Sequence, residues 1–242
     1  MIIRSVRSAL EFLTVVPVGR STQPTPPGLG RAWFPAVGAL VGLAGGLVFM
    51  LLGALVTPLF AAVAAVATCA LITGGLHLDG LADAADGLLG GGTPERRLEI
   101  MRDPRVGSFG VIAVVLVLVA DVALLGVMSP ARALAGLVIA GALSRLAMVG
   151  VIAAVPYVRP DGLGTLVRGG HRARDLVIGV VLVAVACLLD YRRAVAAAVL
   201  VALATILLIG LARRRIGGAT GDVYGACAEL GQTAALIAFA VR

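Results

Sequence analysis

Seven apolar stretches dominate the chain, at 34–56, 58–78, 109–128, 132–155, 176–189, 194–211 and 226–241. A helix needs roughly 20 such residues to cross a bilayer, within a range of about 17–25. The first, third and fourth stretches meet this easily. Segment 176–189 is short, and 226–241 is the least secure span. Composition agrees: of 242 residues 60% are hydrophobic and 14% charged, too little polar surface for a water-facing exterior. Disorder, a collagen-like fibre and a disulfide-stapled domain are excluded on the same ground. The 32 glycines and abundant alanine suit helices packed closely in lipid. The expected fold is an all-α polytopic membrane helix bundle of six to seven transmembrane helices. It reads as one integral-membrane domain over 1–242, with an N-terminal helix and loop at 1–31 and the bundle at 34–242.

At the N-terminus, Ile3, Val6, Leu10 and Leu13 recur at helical spacing, with Arg4, Arg7 and Glu11 on the other side. This pattern predicts an amphipathic helix on the membrane surface, ended before Pro17 and serving as an anchor. Residues 19–31 form a Pro/Gly loop. No cleavable signal pattern is visible over Met1–Val18. Cys69, Cys187 and Cys227 lie far apart in apolar runs and read as packing residues.

All 20 basic residues are arginines, and the formal charge is +7. They lie mostly between apolar stretches, which favours topology and phosphate binding over nucleic-acid binding. With the N-terminus inside, the outer connections hold only Arg132, Arg192, Arg193 and Arg242, and Arg145 lies within a span. The other arginines fall inside, so the expected topology has a cytoplasmic N-terminus. The long inner connections also carry most polar residues, which places any chemistry at the cytoplasmic face.

The densest acidic cluster is His77-Leu78-Asp79-Gly80-Leu81-Ala82-Asp83-Ala84-Ala85-Asp86. On a helix, Asp83 lies about 40° from Asp79 and Asp86 about 20° the other way. Three carboxylates on one face in apolar surroundings are costly unless neutralised. A hard divalent cation, Mg²⁺ or Mn²⁺, suits all-oxygen ligands. Asp222 and Glu229, seven residues apart, add a second acidic pair. Glu99 and Asp103 add a third, which reads equally as a charged surface helix.

Several groups suit phosphate. Arg102 and Arg105 flank Asp103 and offer bidentate donors. Gly217-Gly218-Ala219-Thr220-Gly221 offers backbone N–H groups, although glycine runs more often end helices. Gly90-Gly91-Gly92 precedes a capped helix start at Thr93-Pro94. Arg145 either pairs with Asp121 at similar depth or reaches the site. His77 reads more readily as a packed or capping residue than as a ligand.

The segments FLTVVPVG (12–19), TGGLHLDGLADAADGL (73–88), LEIMRDPRVGSFG (98–110), LSR (143–145) and GGATGDVYGACAELGQ (217–232) together resemble the cobalamin synthase family, adenosylcobinamide-GDP ribazoletransferases. They span nearly the whole chain in order. The resemblance implies an Mg²⁺-dependent inner-membrane enzyme that joins adenosylcobinamide-GDP to α-ribazole or its 5'-phosphate and releases GMP. Asp83-Ala84-Ala85-Asp86-Gly87 also opens like the DxxDG signature of CDP-alcohol phosphotransferases, but that signature's continuation is missing.

On this reading Asp79, Asp83, Asp86 and Asp222 hold the metal. Glu229 accepts a proton from the attacking ribose 5'-hydroxyl. His77, Arg102, Asp103, Arg105, Arg145 and Thr220 contact substrate. The expected partners are the two substrates and the lipid bilayer, with no nucleic acid. A homo-oligomer and contacts with other late enzymes of the pathway stay open. The alternatives are a CDP-alcohol-phosphotransferase-like lipid enzyme, or a cation-coupled transporter using Asp121 and Arg145. Neither repeats nor polar groups toward the outer face support a transporter.

Overall fold

The computed structural model describes residues 2–19 and 27–241. The loop expected at 19–31 therefore lies largely outside the described residues, as does Arg242. The described chain is helical, with a single isolated β-bridge between Tyr157 and Ala219. Its helices are α1 (Ile2–Leu13), α2 (Phe34–Gly53), α3 (Pro58–Ile72), α4 (Leu76–Leu89), α5 (Pro94–Ile100), α6 (Ser108–Gly126), α7 (Pro130–Ala154), α8 (Leu163–Leu166), α9 (Arg172–Cys187), α10 (Tyr191–Ile216) and α11 (Gly221–Ala240). The segment Pro27–Trp33 leads into α2, turning through left-handed backbone at Gly28, Leu29 and Gly30 (φ 70°, 50° and 66°).

Five helical segments are long and apolar enough to span a membrane alone: Gly28–Gly53, α6, α7, α10 and α11. The chain is a multi-pass membrane protein. Large apolar side chains on these helices, such as Leu47, Leu116, Val119, Leu203 and Leu207, point outward and are exposed, as lipid-facing positions require.

The second and last stretches differ from the sequence reading. The apolar run 58–78 is not one helix. Gly74 and Gly75 take φ of 61° and 70°, left-handed values that favour glycine. The chain turns there by 89° from α3 into α4. The 15 residues of α3 cover only about 22 Å, short of the ~30 Å hydrocarbon core. A sixth crossing exists only if α3 and α4 are taken together. The expected short span at 226–241 is instead a 20-residue helix. It begins at Gly221, where the Thr220 hydroxyl caps it by accepting from Val223 N at 3.3 Å. Segment 176–189 is the 16-residue α9, short as expected.

Helices α7 and α11 are the most enclosed of the bundle, and α2, α4, α6 and α10 pack around them. Two apolar cores stack along its length. One joins Leu137, Ile139, Leu236 and Phe239 to Phe49 and Leu125. The other joins Met148, Ile152, Val223 and Cys227 to Leu81, Leu88 and Met101. The second core lies at the end where the connections 73–107, 155–171 and 217–220 meet. Arg102 pairs with Asp161 across them, and Arg159 with Asp222. These are the connections that the arginine pattern groups on one side.

Helix α1 is amphipathic as expected, with Ile2 and Ile3 exposed. Its other face docks on the bundle and does more than anchor. Ala9 and Leu13 are buried there, Phe12 stacks on Phe34 at 5.7 Å, and Val15 N donates to Ile72 O at 2.8 Å.

Helices α2 and α7 meet backbone to backbone. A Cβ added at Gly38 would strike the Gly141 carbonyl, one at Gly141 would strike Gly38, and one at Gly42 would strike Leu137. The GxxxGxxxG row of Gly38, Gly42 and Gly46 makes the approach possible. Gly38→Ala and Gly141→Ala should each cost about 1–3 kcal/mol through overpacking. The midpoint of unfolding in detergent measures this. Gly53→Ala, which meets nothing within 4 Å, is the control and should leave that midpoint in place.

Candidate active site

At the loop-rich end, a cavity of about 140 Å³ opens between α1, the start of α4, the C-terminal half of α7, the 157–167 connection and the start of α11. Its lining includes Asp79, Asp222, Arg159, His77, Tyr157 and Tyr224, with Phe12, Leu13, Met148 and Ile152. Asp79 is exposed, whereas His77 and Tyr224 are buried. The open side is thus acidic and the closed side aromatic and apolar.

Helix α4 presents Asp79 and Asp83 one turn apart, and Asp83 lies in the field of both Asp79 and Asp222. The carboxylates of Asp79 and Asp83 make no hydrogen bond or ion pair among the described residues. Asp222 receives the Thr220 hydroxyl at 3.2 Å and pairs with Arg159 at 2.8 Å. One cation therefore faces three carboxylates. Among the described residues no three His, Cys, Asp or Glu side chains already sit in ligating geometry.

Asp86 shares the α4 face but serves a different neighbour. Its two oxygens accept from Gly107 N at 2.7 Å and Gly110 N at 2.9 Å. These are the cap and first turn of α6, where orphan N–H groups and the helix dipole favour a carboxylate. A Cβ at either glycine would collide with that carboxylate. Gly87, next in the DxxDG string, lets α5 approach, since a Cβ there would meet Met101 and the Arg97 carbonyl.

Arg145 and Asp121 lie at similar depth, as counted from the sequence, yet do not touch. Arg145 Nη1 donates to Ser144 Oγ at 2.9 Å and to Gln232 Oε1 at 3.2 Å. Gln232 Nε2 then donates to Asp121 Oδ2 at 3.2 Å, and Thr233 Oγ1 donates to Asp121 Oδ1 at 2.6 Å. The other arm of Arg145, Nη2, reaches His77 Nδ1 at 3.3 Å. His77 is thus both packed, as expected, and part of the cavity wall. Glu229 is not at the cavity. It borders a small void of about 20 Å³ with Arg145, Asp121 and Gln232.

The other expected phosphate ligands lie away from the cavity. Arg102 makes an exposed pair with Asp161 at 2.8 Å. Arg105 clasps Asp103 with Nε and Nη2, and these hydrogen bonds hold the Asp103 carboxyl down at about 2. Glu99 pairs with Arg96 on the surface of α5. Thr93 caps α5, accepting from Arg96 N. Gly217, at φ 80°, ends α10, and Gly218 packs on the Pro156 carbonyl. Both glycine runs therefore serve helix ends. Thr220 caps α11 and orients Asp222.

Sequence reasoning missed Arg159, Tyr157 and Tyr224. Burial raises the Tyr157 hydroxyl above its ordinary pKa. Also missed was the buried pair of Arg31 with Asp175 at 3.1 Å, in which Arg31 Nη1 donates to Val167 O at 2.7 Å. It ties α9 and the start of α2 to the cavity wall. Tyr224 and Gln232 fall inside a quoted motif, but nothing in their spacing signals a role.

An acidic, arginine-bearing cavity at one end of a lipid-facing helix bundle is the plan of an integral-membrane enzyme that handles a charged, water-borne substrate. Residues 5–240 match the family model described as cobalamin-5-phosphate synthase, and the chain belongs to that family. Curated relatives share its length. An adenosylcobinamide-GDP ribazoletransferase of Bradyrhizobium diazoefficiens is 41% identical over 98% of this chain and 93% of its own. One from Stutzerimonas stutzeri is 41% identical over 97% and 96%, and one from Azorhizobium caulinodans is 40% identical over 98% and 95%. No solved structure matches the chain.

Proposed function

We propose that this chain transfers a cobinamide phosphoryl group from adenosylcobinamide-GDP to ribazole, releasing GMP, at the cavity bounded by Asp79 and Asp222. The observation that carries the reading is the meeting of Asp79, Asp222 and Arg159 at one cavity, with Asp83 in the field of all three, in a chain that matches such transferases end to end. A ribose hydroxyl attacks the phosphorus on the cobinamide side. An O–P bond forms, and the bond to the bridging oxygen breaks, so that this oxygen leaves with GMP. A carboxylate of the Asp79–Asp83–Asp222 group takes the hydroxyl proton. The family description names a 5-phosphate product. An acceptor already phosphorylated at that position must react through a ring hydroxyl, not through the 5'-hydroxyl expected from the sequence.

Asp79 and Asp83 would hold a divalent ion, Mg²⁺ or Mn²⁺, with Asp222 closing the group. When bound, the ion offsets charge on the diphosphate and the departing GMP. Arg159 is the cation of this chain placed to steady a phosphate oxygen. Arg145 acts one layer behind, through His77.

The same reading places the cavity end in the cytoplasm of a cell with an inner membrane, on the strength of the arginine asymmetry. Labelling of single cysteines introduced at positions 98 and 192 tests this. Position 98 should react only from the cytoplasmic side, and periplasmic labelling there would reverse the orientation. The deciding experiment for the reaction is GMP release from adenosylcobinamide-GDP and α-ribazole by the purified protein. Release is expected with Mg²⁺ and should fall to background with EDTA. No GMP under any metal condition would sink the transferase reading, and full activity in EDTA would sink the metal assignment.

A further inference from the structure

Two polar atoms on the closed side of the cavity find no partner among the described residues. Tyr224 is 4% exposed, and its hydroxyl has no hydrogen-bond partner among the described residues. His77 is 2% exposed. A guanidinium carries only donors, so the contact from Arg145 Nη2 makes His77 Nδ1 the acceptor. The ring hydrogen then sits on Nε2, which is also buried without a partner. Buried donors are costly to leave unanswered, and both of these residues line one cavity.

The rest of that wall is aromatic or apolar. The Tyr224 ring lies 5.9 Å from that of Tyr157, tilted by 34°, and the Arg168 guanidinium lies 5.5 Å over Tyr157. Phe12, Leu13, Met148 and Ile152 supply hydrocarbon. The charged groups Asp79, Arg159 and Asp222 belong to the same cavity, so a ligand whose flat end is buried can keep a sugar hydroxyl near them.

We infer that this cavity is the acceptor pocket and takes an aromatic nucleoside with a largely apolar base. The base lies against the tyrosine pair, and the Tyr224 hydroxyl and His77 Nε2–H donate to its acceptor atoms. The inference rests on the transferase reading above, under which that nucleoside is the ribazole. A benzimidazole riboside fits: it has an apolar ring edge, a ring-nitrogen acceptor and ribose oxygens. Guanine fits less well, because its amino group and ring N–H ask for several acceptors, and among the buried side chains of this wall the Tyr224 hydroxyl oxygen alone can accept. The GDP half of the donor therefore lies outside this pocket.

The test is equilibrium binding of labelled α-ribazole and, separately, of GDP to the purified full chain in detergent. Tyr224→Phe removes one oxygen that has no partner among the described residues, so a merely structural tyrosine would lose nothing. The pocket predicts about a tenfold weaker α-ribazole Kd, which is about 1.4 kcal/mol, with GDP affinity unchanged and the unfolding midpoint not lowered. Tyr157→Leu, on the half-buried ring, should also weaken α-ribazole and spare GDP, and it carries the test if Tyr224→Phe folds poorly. Unchanged α-ribazole affinity in a folded variant, or a loss confined to GDP, overturns the assignment. If the wild type turns over while both variants keep α-ribazole affinity, only the pocket is wrong. If the wild type binds neither ligand and releases no GMP, the transferase reading falls and the pocket with it.

Discussion

Asp79→Asn and Asp83→Asn should each lower turnover at least about 10²-fold, roughly 2.7 kcal/mol of barrier, in a protein that still folds. Asparagine keeps the size of the side chain and removes its charge. Neither carboxylate is bonded to another group among the described residues, so the fold loses little when the charge goes. Each variant would remove one of the carboxylates, Asp79, Asp83 and Asp222, placed to hold the ion. Dependence on Mg²⁺ concentration should shift upward in both variants, a change that a general packing defect would not produce. Near-normal turnover with an unmoved Mg²⁺ curve in both would remove the cation from the account.

Asp86→Ala should act on a different quantity. Its carboxylate accepts two backbone N–H groups at the start of α6, and hydrogen bonds to charged groups contribute about 1.5–3 kcal/mol each. Removing it leaves those donors without that partner at a partly buried helix end. The expected loss is about 3–5 kcal/mol of stability, read as a lower denaturation midpoint in detergent. Asp86→Asn should fall between, because one carbonyl oxygen replaces two acceptors and an amide N–H₂ faces a backbone donor. A stable Asp86→Ala protein that is merely inactive would show that this aspartate belongs with Asp79 and Asp83 after all.

The contrast among these aspartates marks where sequence reading stops. Their spacing correctly puts all three on one face of one helix, because the 3.6-residue period is a local property. What each one meets is not local. The partners of Asp86 lie 21 and 24 residues onward, and that contact depends on two glycines that leave room for a carboxylate. The break after α3 had a visible cause in Gly74-Gly75, yet the apolar run continued through Leu78 and hid it. Depth counting along two helices placed Asp121 and Arg145 level with each other. It had no means of showing that Gln232, from a third helix, stands between them. Arg159 was legible as a charge on the inner side and no more, since its pairing with Asp222 exists only once the 155–171 connection folds back over α11.

The backbone contact between α2 and α7 has a mechanical consequence. With Gly38 against Gly141 and no side chain between them, there is no soft layer to shear, and the two helices behave as one rigid plank. A substrate wider than the cavity must therefore be admitted by the parts that face it from other directions. Those are α1, which rests on the bundle through Ala9, Leu13 and Phe12, and the short turn of α8, held by Arg31 through the Val167 carbonyl. These two pieces border the cavity on the sides away from that plank.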